Sequence, residues 1–233
     1  LRWAQLLPEN TLAFLSLCLN QEAKQQLTDV YLEAIPDEMR RQPGVSQGLT
    51  YASMVLEMLG REITLGMSGL DPMDFPSLIL MVELANPIGA QALLQMAPQQ
   101  PHGDPYRDIQ IKALAFPSPL PVYFALIGEA LTLSNSDTAI QGVIDLVRDE
   151  ETSGFFAAQQ PPLDPETPIF QALMLKPSLY ADIVEPLATL AGRGLPREAS
   201  DVFTTLTALF NDVRFFGEMQ DSWIVNRIYI TRK

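Results

Sequence analysis

Two hydrophobic patterns take turns along this chain, alternation with period two and recurrence at helical spacing. Thr11–Leu19 carries Leu at alternate positions and reads as a strand ended by Asn20. Leu27, Val30, Tyr31 and Ala34 then share one face of a helix over Gln21–Ile35, which Pro36 stops. Ser46–Leu59 is a second helix, with Gly60 where a left-handed cap belongs. Glu62–Ser68 alternates cleanly, with Ile63, Leu65 and Met67 on one side and Glu62, Thr64, Gly66 and Ser68 on the other, the pattern of a half-buried strand. Gly69–Pro76 holds two prolines and two aspartates and is a loop. Ser77–Leu84 is nearly continuous apolar, as in a strand covered on both faces. Asn86-Pro87 opens a helix to Met96, Ala97–Tyr106 is a Pro-rich loop, and Asp108–Ala115 is a strand.

The best-specified stretch is Val122–Glu150. Val122–Ile127 and Ala130–Leu133 are apolar runs separated by Gly128-Glu129, a two-residue hairpin turn with glycine at the position that needs positive φ. Ser134 with Asp137 resembles a capping box, and Ile140, Val143, Ile144 and Val147 follow at helical spacing. Beyond Glu150 the patterning weakens. Thr167-Pro168 reads as the start of a short helix to Met174, Ser178–Val184 as a strand, and Pro186 as the turn into a short helix ending near Gly192. The last helix begins at Leu195-Pro196, and Val213–Met219 with Trp223–Thr231 forms a closing hairpin around Gln220-Asp221.

Direct hairpins demand antiparallel neighbours, so the expected class is α+β, with hairpin-rich curved antiparallel sheets and helices packed on one face of each. Strands end at an asparagine leading into a helix at Asn20, Asn86 and Asn135. Asparagine is a common N-cap, which accounts for the repetition by itself; the alternative is a duplicated strand–helix unit that builds two similar halves. Residues 1–150 form a strand/helix domain with the central hairpin, and 151–233 form a C-terminal subdomain packed on it or joined with it in one domain.

Charge narrows the partners. The 233 residues carry 15 Lys and Arg against 28 Asp and Glu, a net charge of −13. A field of that sign repels phosphate, so nucleic acid and anionic lipid headgroups are poor partners, and no nucleic-acid partner is expected. The one basic cluster is Arg227 with Arg232-Lys233. A single cysteine, Cys18, excludes an internal disulfide. No run is long enough to span a bilayer and no basic amphipathic helix lies on one, so direct bilayer insertion by this chain is not expected.

Chemistry is sparse. His102, the one histidine, sits in the turn cluster Pro101–Pro105, and Gly66-Met67-Ser68-Gly69 falls one residue short of a nucleophile elbow. Asp71 and Asp74 flank prolines without the dense oxygen ligands of a calcium loop. No catalytic, cofactor-binding or metal-binding residue is assigned, and the chain is read as a non-enzyme. Two features point to binding instead. Met54, Met58, Met67 and Met81 are core filler, or alternatively line an apolar cavity for a lipophilic ligand. Phe155-Phe156, in a polar Pro-rich segment, pins its loop to the body or faces a partner.

Leu7-Pro8-Glu9-Asn10-Thr11-Leu12-Ala13-Phe14 and Val122–Glu129 with the Leu-Ser-Asn and helix that follow resemble a bacterial family of unknown function, common in cyanobacteria, the DUF3352 type. Pro168–Leu173 and the closing hairpin match its later pattern less sharply. The resemblance implies an N-terminal signal or membrane anchor and supplies no catalytic residues. With a first residue that is Leu and not Met, it sets the expectation of an exported chain cut from a longer precursor, in the periplasm or thylakoid lumen. The function expected is a non-enzymatic extracytoplasmic domain docking on a membrane or envelope protein assembly. The alternatives are a carrier or sensor of a lipophilic small molecule and a hydrolase with a non-obvious site.

Overall fold

The computed structural model describes residues 2–8, 10–22, 24–25, 29, 35–36, 45, 53–70, 76–115, 120–149, 169–179, 183, 197–220 and 223–232. In chain order the strands are β1 (Thr11–Cys18), β2 (Leu59–Leu70), β3 (Pro76–Leu84), β4 (Gln99–Pro101), β5 (Lys112–Leu114), β6 (Tyr123–Ile127), β7 (Ala130–Ser134), β8 (Ile169–Leu175), β9 (Phe210–Gln220) and β10 (Trp223–Arg232). Helices α1 (Pro87–Met96), α2 (Asp137–Arg148) and α3 (Arg197–Leu209) and a 3-10 turn at Trp3–Leu6 accompany them. The described strands form one open sheet in the order β10-β9-β8-β1-β2-β3-β7-β6-β5-β4, and all neighbours are antiparallel. The fold therefore mixes helices with a large antiparallel sheet. β8 lies between β1 and β9, so strands from either side of residue 150 share that sheet.

The central hairpin turns at Gly128, whose φ is +61°, a conformation glycine takes without the clash of a Cβ. Asn86 caps α1, its side chain accepting from the Gly89 amide at 2.9 Å. For α2 the cap is Ser136, not Ser134; the Ser136 hydroxyl accepts from the Ala139 amide. Asn135 faces the sheet instead, accepting from Leu78 N and donating to Pro76 O.

Several expected elements differ. Ile169–Leu175 is strand β8, not a helix after Thr167-Pro168, because its alternating Ala172 and Met174 are fully buried between β1 and β9. Ser178, Leu179 and Ile183 are helical where a strand was expected. The strand expected over Asp108–Ala115 shrinks to β5, since Arg107 and Asp108 take positive φ in a tight loop. Gly60 lies within β2 and is no cap. A Cβ there would come within 2.8 Å of the Glu83 backbone, so glycine is required by close packing. Met54, Met58 and their neighbours at 53–58 are helical as expected, while 71–75, the remainder of Ser46–Leu59 up to residue 52 and the helix expected near Gly192 lie outside the described residues.

One face of the sheet, the inner face, holds the core. Phe14, Met81, Ile127, Met174 and Phe216 pack there against Trp3, Ala4 and Leu7 of the N-terminal segment and against Ile140, Val143 and Ile144 of α2. Each of the three α2 side chains is fully buried, a contribution of about 1.5–3 kcal/mol apiece by transfer.

Candidate functional site

The alternation of β2 is present, but its polar side chains are the buried ones. Glu62, Thr64 and Ser68 are 3%, 0% and 6% exposed, whereas Leu65 on the opposite face is 44% exposed. A local cause sits beneath them. The Glu62 carboxylate accepts from the backbone amides of Arg2, Trp3 and Ala4 at 2.5, 3.0 and 2.9 Å, the donors at the start of the 3-10 turn. It also accepts from the hydroxyls of Ser16 and Thr64, at 3.2 and 3.0 Å, and these two hydroxyls meet at 2.6 Å. Polar side chains can face inward here because the N-terminal segment supplies amides to Glu62 and the strands supply the rest, Ser68 donating to the Ser77 carbonyl. Gly66 leaves room for Leu7, whose side chain occupies the space a Cβ would take.

On β9 a second polar group is buried in the same face. Arg214 donates from Nε to Asp212 Oδ1 at 2.7 Å and from Nη2 to Oδ2 at 3.1 Å, and Thr231 donates to Asp212 at 3.2 Å. Burial beside this pair pushes the Lys176 ammonium below its ordinary pKa.

With polar groups inside, apolar ones are turned out. Across the outer face Ile228 pairs with Phe215, Phe215 with Leu173, Leu173 with Leu15, Leu15 with Leu65 and Leu65 with Leu80. A parallel row runs Ile230, Val213, Leu175, Ala13, Met67 and Leu78. Leu15, Leu17, Leu65, Leu78, Leu173, Leu175, Val213, Ile228 and Ile230 are between 36% and 65% exposed. At about 4.8 Å per strand, six strands make a strip roughly 24 Å long. This outer strip is the candidate functional surface.

His102 belongs to a different assembly. Its Nε2 lies 3.0 Å from Asp137 Oδ2 and its ring 4.5 Å from that of Tyr123. Along the same helix Tyr106 donates its hydroxyl to both Asp145 oxygens at 3.0 Å, and Arg107 reaches Asp145 at 3.0 Å and Asp149 at 2.7 Å. The bond to Arg107 holds the Asp149 carboxyl below its ordinary pKa, while acceptance by Asp145 raises the Tyr106 phenol. Asp137 and Asp145 of α2, with Asp149 just past its C-terminal end, thus clamp the loop through His102, Tyr106 and Arg107. Among the described residues no Ser, Thr or Cys hydroxyl or thiol bonds His102, so the cluster has a His–Asp pair without a nucleophile on it.

Of the methionines singled out, Met81 is fully buried on the inner face and Met67 lies on the outer face, so the sheet separates them. Met54 is 38% exposed on the 53–58 helix and Met58 is half-buried there. A cleft of about 290 Å³ near that helix is lined by Gln21, Lys24, Gln25, Ser53, Leu56 and Glu57. Another of about 300 Å³ lies between α1 and β6, with Leu94, Lys112, Phe124 and Leu126 in its wall. None of the four methionines is in the wall of either cleft. Phe155, Phe156, Asp71 and Asp74 lie outside the described residues. Among those described, no group of three or more His, Cys, Asp or Glu could hold a metal, and no helix is long and apolar enough to cross a membrane.

No family model matches the chain, and no curated protein matches it. Among solved structures the chain is similar to the one described as "Structure of crystal form IV of TP0453", at 6% identity and a TM-score of 0.46, covering 97% of this chain and 79% of that one. A likeness of that degree carries no argument about function.

Proposed function

We infer that this chain is a non-catalytic docking domain, working outside the cytoplasm and seated on a membrane or envelope protein assembly through the outer face of its sheet. The observation that carries the reading is the inverted burial of the central strands. Ser16 and Thr64 are wholly buried while Leu15, Leu65 and Leu173 beside them meet solvent. Contiguous apolar strips of this kind mark interaction surfaces, and a hydrogen-bonded sheet presents one without an ordering cost on binding. A net charge of −13 opposes an anionic lipid surface and so favours a protein partner. The location, periplasm or thylakoid lumen with a signal or anchor upstream, rests on the resemblance to that bacterial family alone.

The register supports a finer account of the sheet as two similar halves. On this account β1, β2 and β3 and β8, β9 and β10 are copies of one strand–helix–hairpin unit, with α3 and the 53–58 helix in corresponding places. A local two-fold through the Leu15–Leu173 pair exchanges Phe14 with Ala172 and Ser16 with Met174. It likewise exchanges Thr64 with Arg214 and Met81 with Tyr229, since Ser16 pairs with Thr64 and Met174 with Arg214, and these pair onward with Met81 and Tyr229. Glu62 and Asp212, the buried acids, then correspond.

Affinity capture from gently solubilised native membranes tests the docking reading, with the native chain beside a Leu65→Gln/Leu175→Gln variant. Both sites are 44% exposed, so the fold tolerates the change. The native chain should retain one stoichiometric membrane protein and the variant several-fold less. Equal retention by both sinks the reading. If the native chain instead carries a stoichiometric lipid or pigment that the variant loses, the lipophilic carrier replaces it; turnover that disappears with His102→Ala would favour the hydrolase.

A further inference from the structure

We propose that β10 pairs edge to edge with β10 of a second copy of this chain, antiparallel, in a two-fold register centred on Tyr229. The proposal stands on the sheet edge and is independent of what the outer face binds.

The two ends of the sheet are unlike. β4 is three residues long, follows Pro98 and ends in Pro101, which has no amide proton to give; such an edge is guarded against pairing. β10 has ten residues, no proline and no acidic residue. Among the described residues β9 is its one neighbour, and Ile228 and Ile230 are 65% and 54% exposed. Long apolar edges of this kind are templates for another strand.

The sheet already holds the answer to what covers such an edge. Thr64 of β2 pairs with Met81 of β3 as Arg214 of β9 pairs with Tyr229 of β10, and Gly66 pairs with Ile79 as Phe216 pairs with Arg227. The far side of β3 is paired by β7 over Ile79–Glu83, with Met81 opposite Thr132. The matching positions of β10 are Arg227–Thr231, with Tyr229 at their centre.

Those five positions are self-complementary about that centre. Arg227 falls opposite Thr231 of the second copy, Ile228 opposite Ile230, Tyr229 opposite itself, and one step further Asn226 opposite Arg232. No like charges meet. The isoleucine pairs extend the outer row from Leu15 through Leu173, Phe215 and Ile228 into the second copy. Tyr229, edge-on to Phe216 at 5.8 Å, meets its own counterpart on the inner face. A slip of one residue would turn the second copy over, and a slip of two sets Ile230 against Asn226 or Ile228 against Arg232. Within a chain of net charge −13, this strand carries arginine alone as its charged residue, so the general repulsion between copies is weakest here.

Sedimentation across a concentration series at physiological ionic strength tests this with the full chain. The native chain should form a reversible dimer. Ile228→Lys/Ile230→Lys places lysine opposite lysine twice and should weaken the dimer on the order of tenfold or more. Ile228→Lys/Ile230→Glu places lysine opposite glutamate twice and should keep the native dissociation constant within about threefold. Both sites are exposed, and circular dichroism establishes that each variant folds. A native chain that stays monomeric throughout overturns the proposal, as do two variants that weaken the dimer equally or leave it equally intact.

Discussion

Replacing Glu62 by Gln tests whether the N-terminal segment is held by one carboxylate. The side chain is 3% exposed and accepts from three backbone amides and two hydroxyls. Glutamine is nearly the same size, so packing is preserved and the change is confined to hydrogen bonding. Its amide nitrogen must point at donors whichever way it turns: toward Arg2 N, or toward Trp3 N, Ala4 N and the two hydroxyls. In the cheaper orientation the nitrogen faces Arg2 N, a part-buried donor that loses its acceptor at roughly 1 kcal/mol, and the buried bonds from Trp3 and Ala4 lose the stronger charge-assisted acceptor. The expected loss is about 1–3 kcal/mol in urea unfolding at unchanged m-value. Hydrogen exchange should localise it, with the amides of Trp3 and Ala4 losing protection before those of β6 and β7. A loss under about 0.5 kcal/mol, with those two amides still protected, would refute the account, because two buried amides cannot exchange a charged acceptor for a neutral one that cheaply.

Three further outcomes are expected. Gly66→Ala drives a methyl into the Leu7 side chain and should cost about 1–3 kcal/mol in chemical unfolding, while Gly69→Ala, with nothing within 4 Å of its Cβ, should stay within about 0.5 kcal/mol. Burial, seconded by the Glu62 charge, pushes the Cys18 thiol above its ordinary pKa; the pH midpoint of its alkylation should therefore lie above that of an unfolded thiol and fall back in denaturant. Because Arg107 depresses Asp149, the unfolded chain takes up that proton first as pH falls, so the bond's stabilisation is present above the ordinary carboxyl range and is lost as pH drops through the lowered value; NMR titration of Arg107→Ala should return Asp149 to the ordinary range.

The elements with local signals were legible. Gly128-Glu129 needs only its own backbone preference, and the helix from Asp137 carries its apolar face in its own spacing. The strand at Ile169–Leu175 was not, because a short apolar run after Thr-Pro fits a first helical turn as well as a strand, and only β1 and β9 on its two sides decide between them. The burial sense of β2 was hidden for a related reason. Its alternation shows that two faces differ, and the usual assumption buries Ile63, Leu65 and Met67. What reverses it is an acceptor at Glu62 meeting donors some sixty residues earlier, with |i−j| of 60, 59 and 58 for Arg2, Trp3 and Ala4. Gly66 was the available clue, since a glycine inside a strand marks a close approach. The candidate surface went unseen with it, for outer leucines are visible as a site only once the polar face is known to be inside.

Inverted burial also explains how the fold can be stable while apolar side chains stay on its outer face. Buried hydroxyls and carboxylates cost little when each is bonded, as Ser16, Thr64 and Glu62 are, so this polar row gives up hydrophobic transfer at little desolvation cost; the buried Thr132 hydroxyl and Trp3 indole N–H, which have no partner among the described residues, add a penalty of their own. The compensating apolar area comes from Trp3, Leu7 and α2, which close over the polar row. What the inner face gains from that cover, the outer face lacks: Leu15, Leu65 and Leu173 remain more than a third exposed. Leaving them there lowers stability nowhere, since leucine is equally wet in the unfolded chain, but it invites association. A net charge of −13 opposes indiscriminate association between copies by mutual repulsion. Association then requires a surface whose match outweighs that repulsion. Selective binding on an apolar strip follows from these two opposing features together, and neutralising surface acids away from the strip should erode it into non-specific aggregation, measurable as light scattering that rises as salt screens the remaining charge.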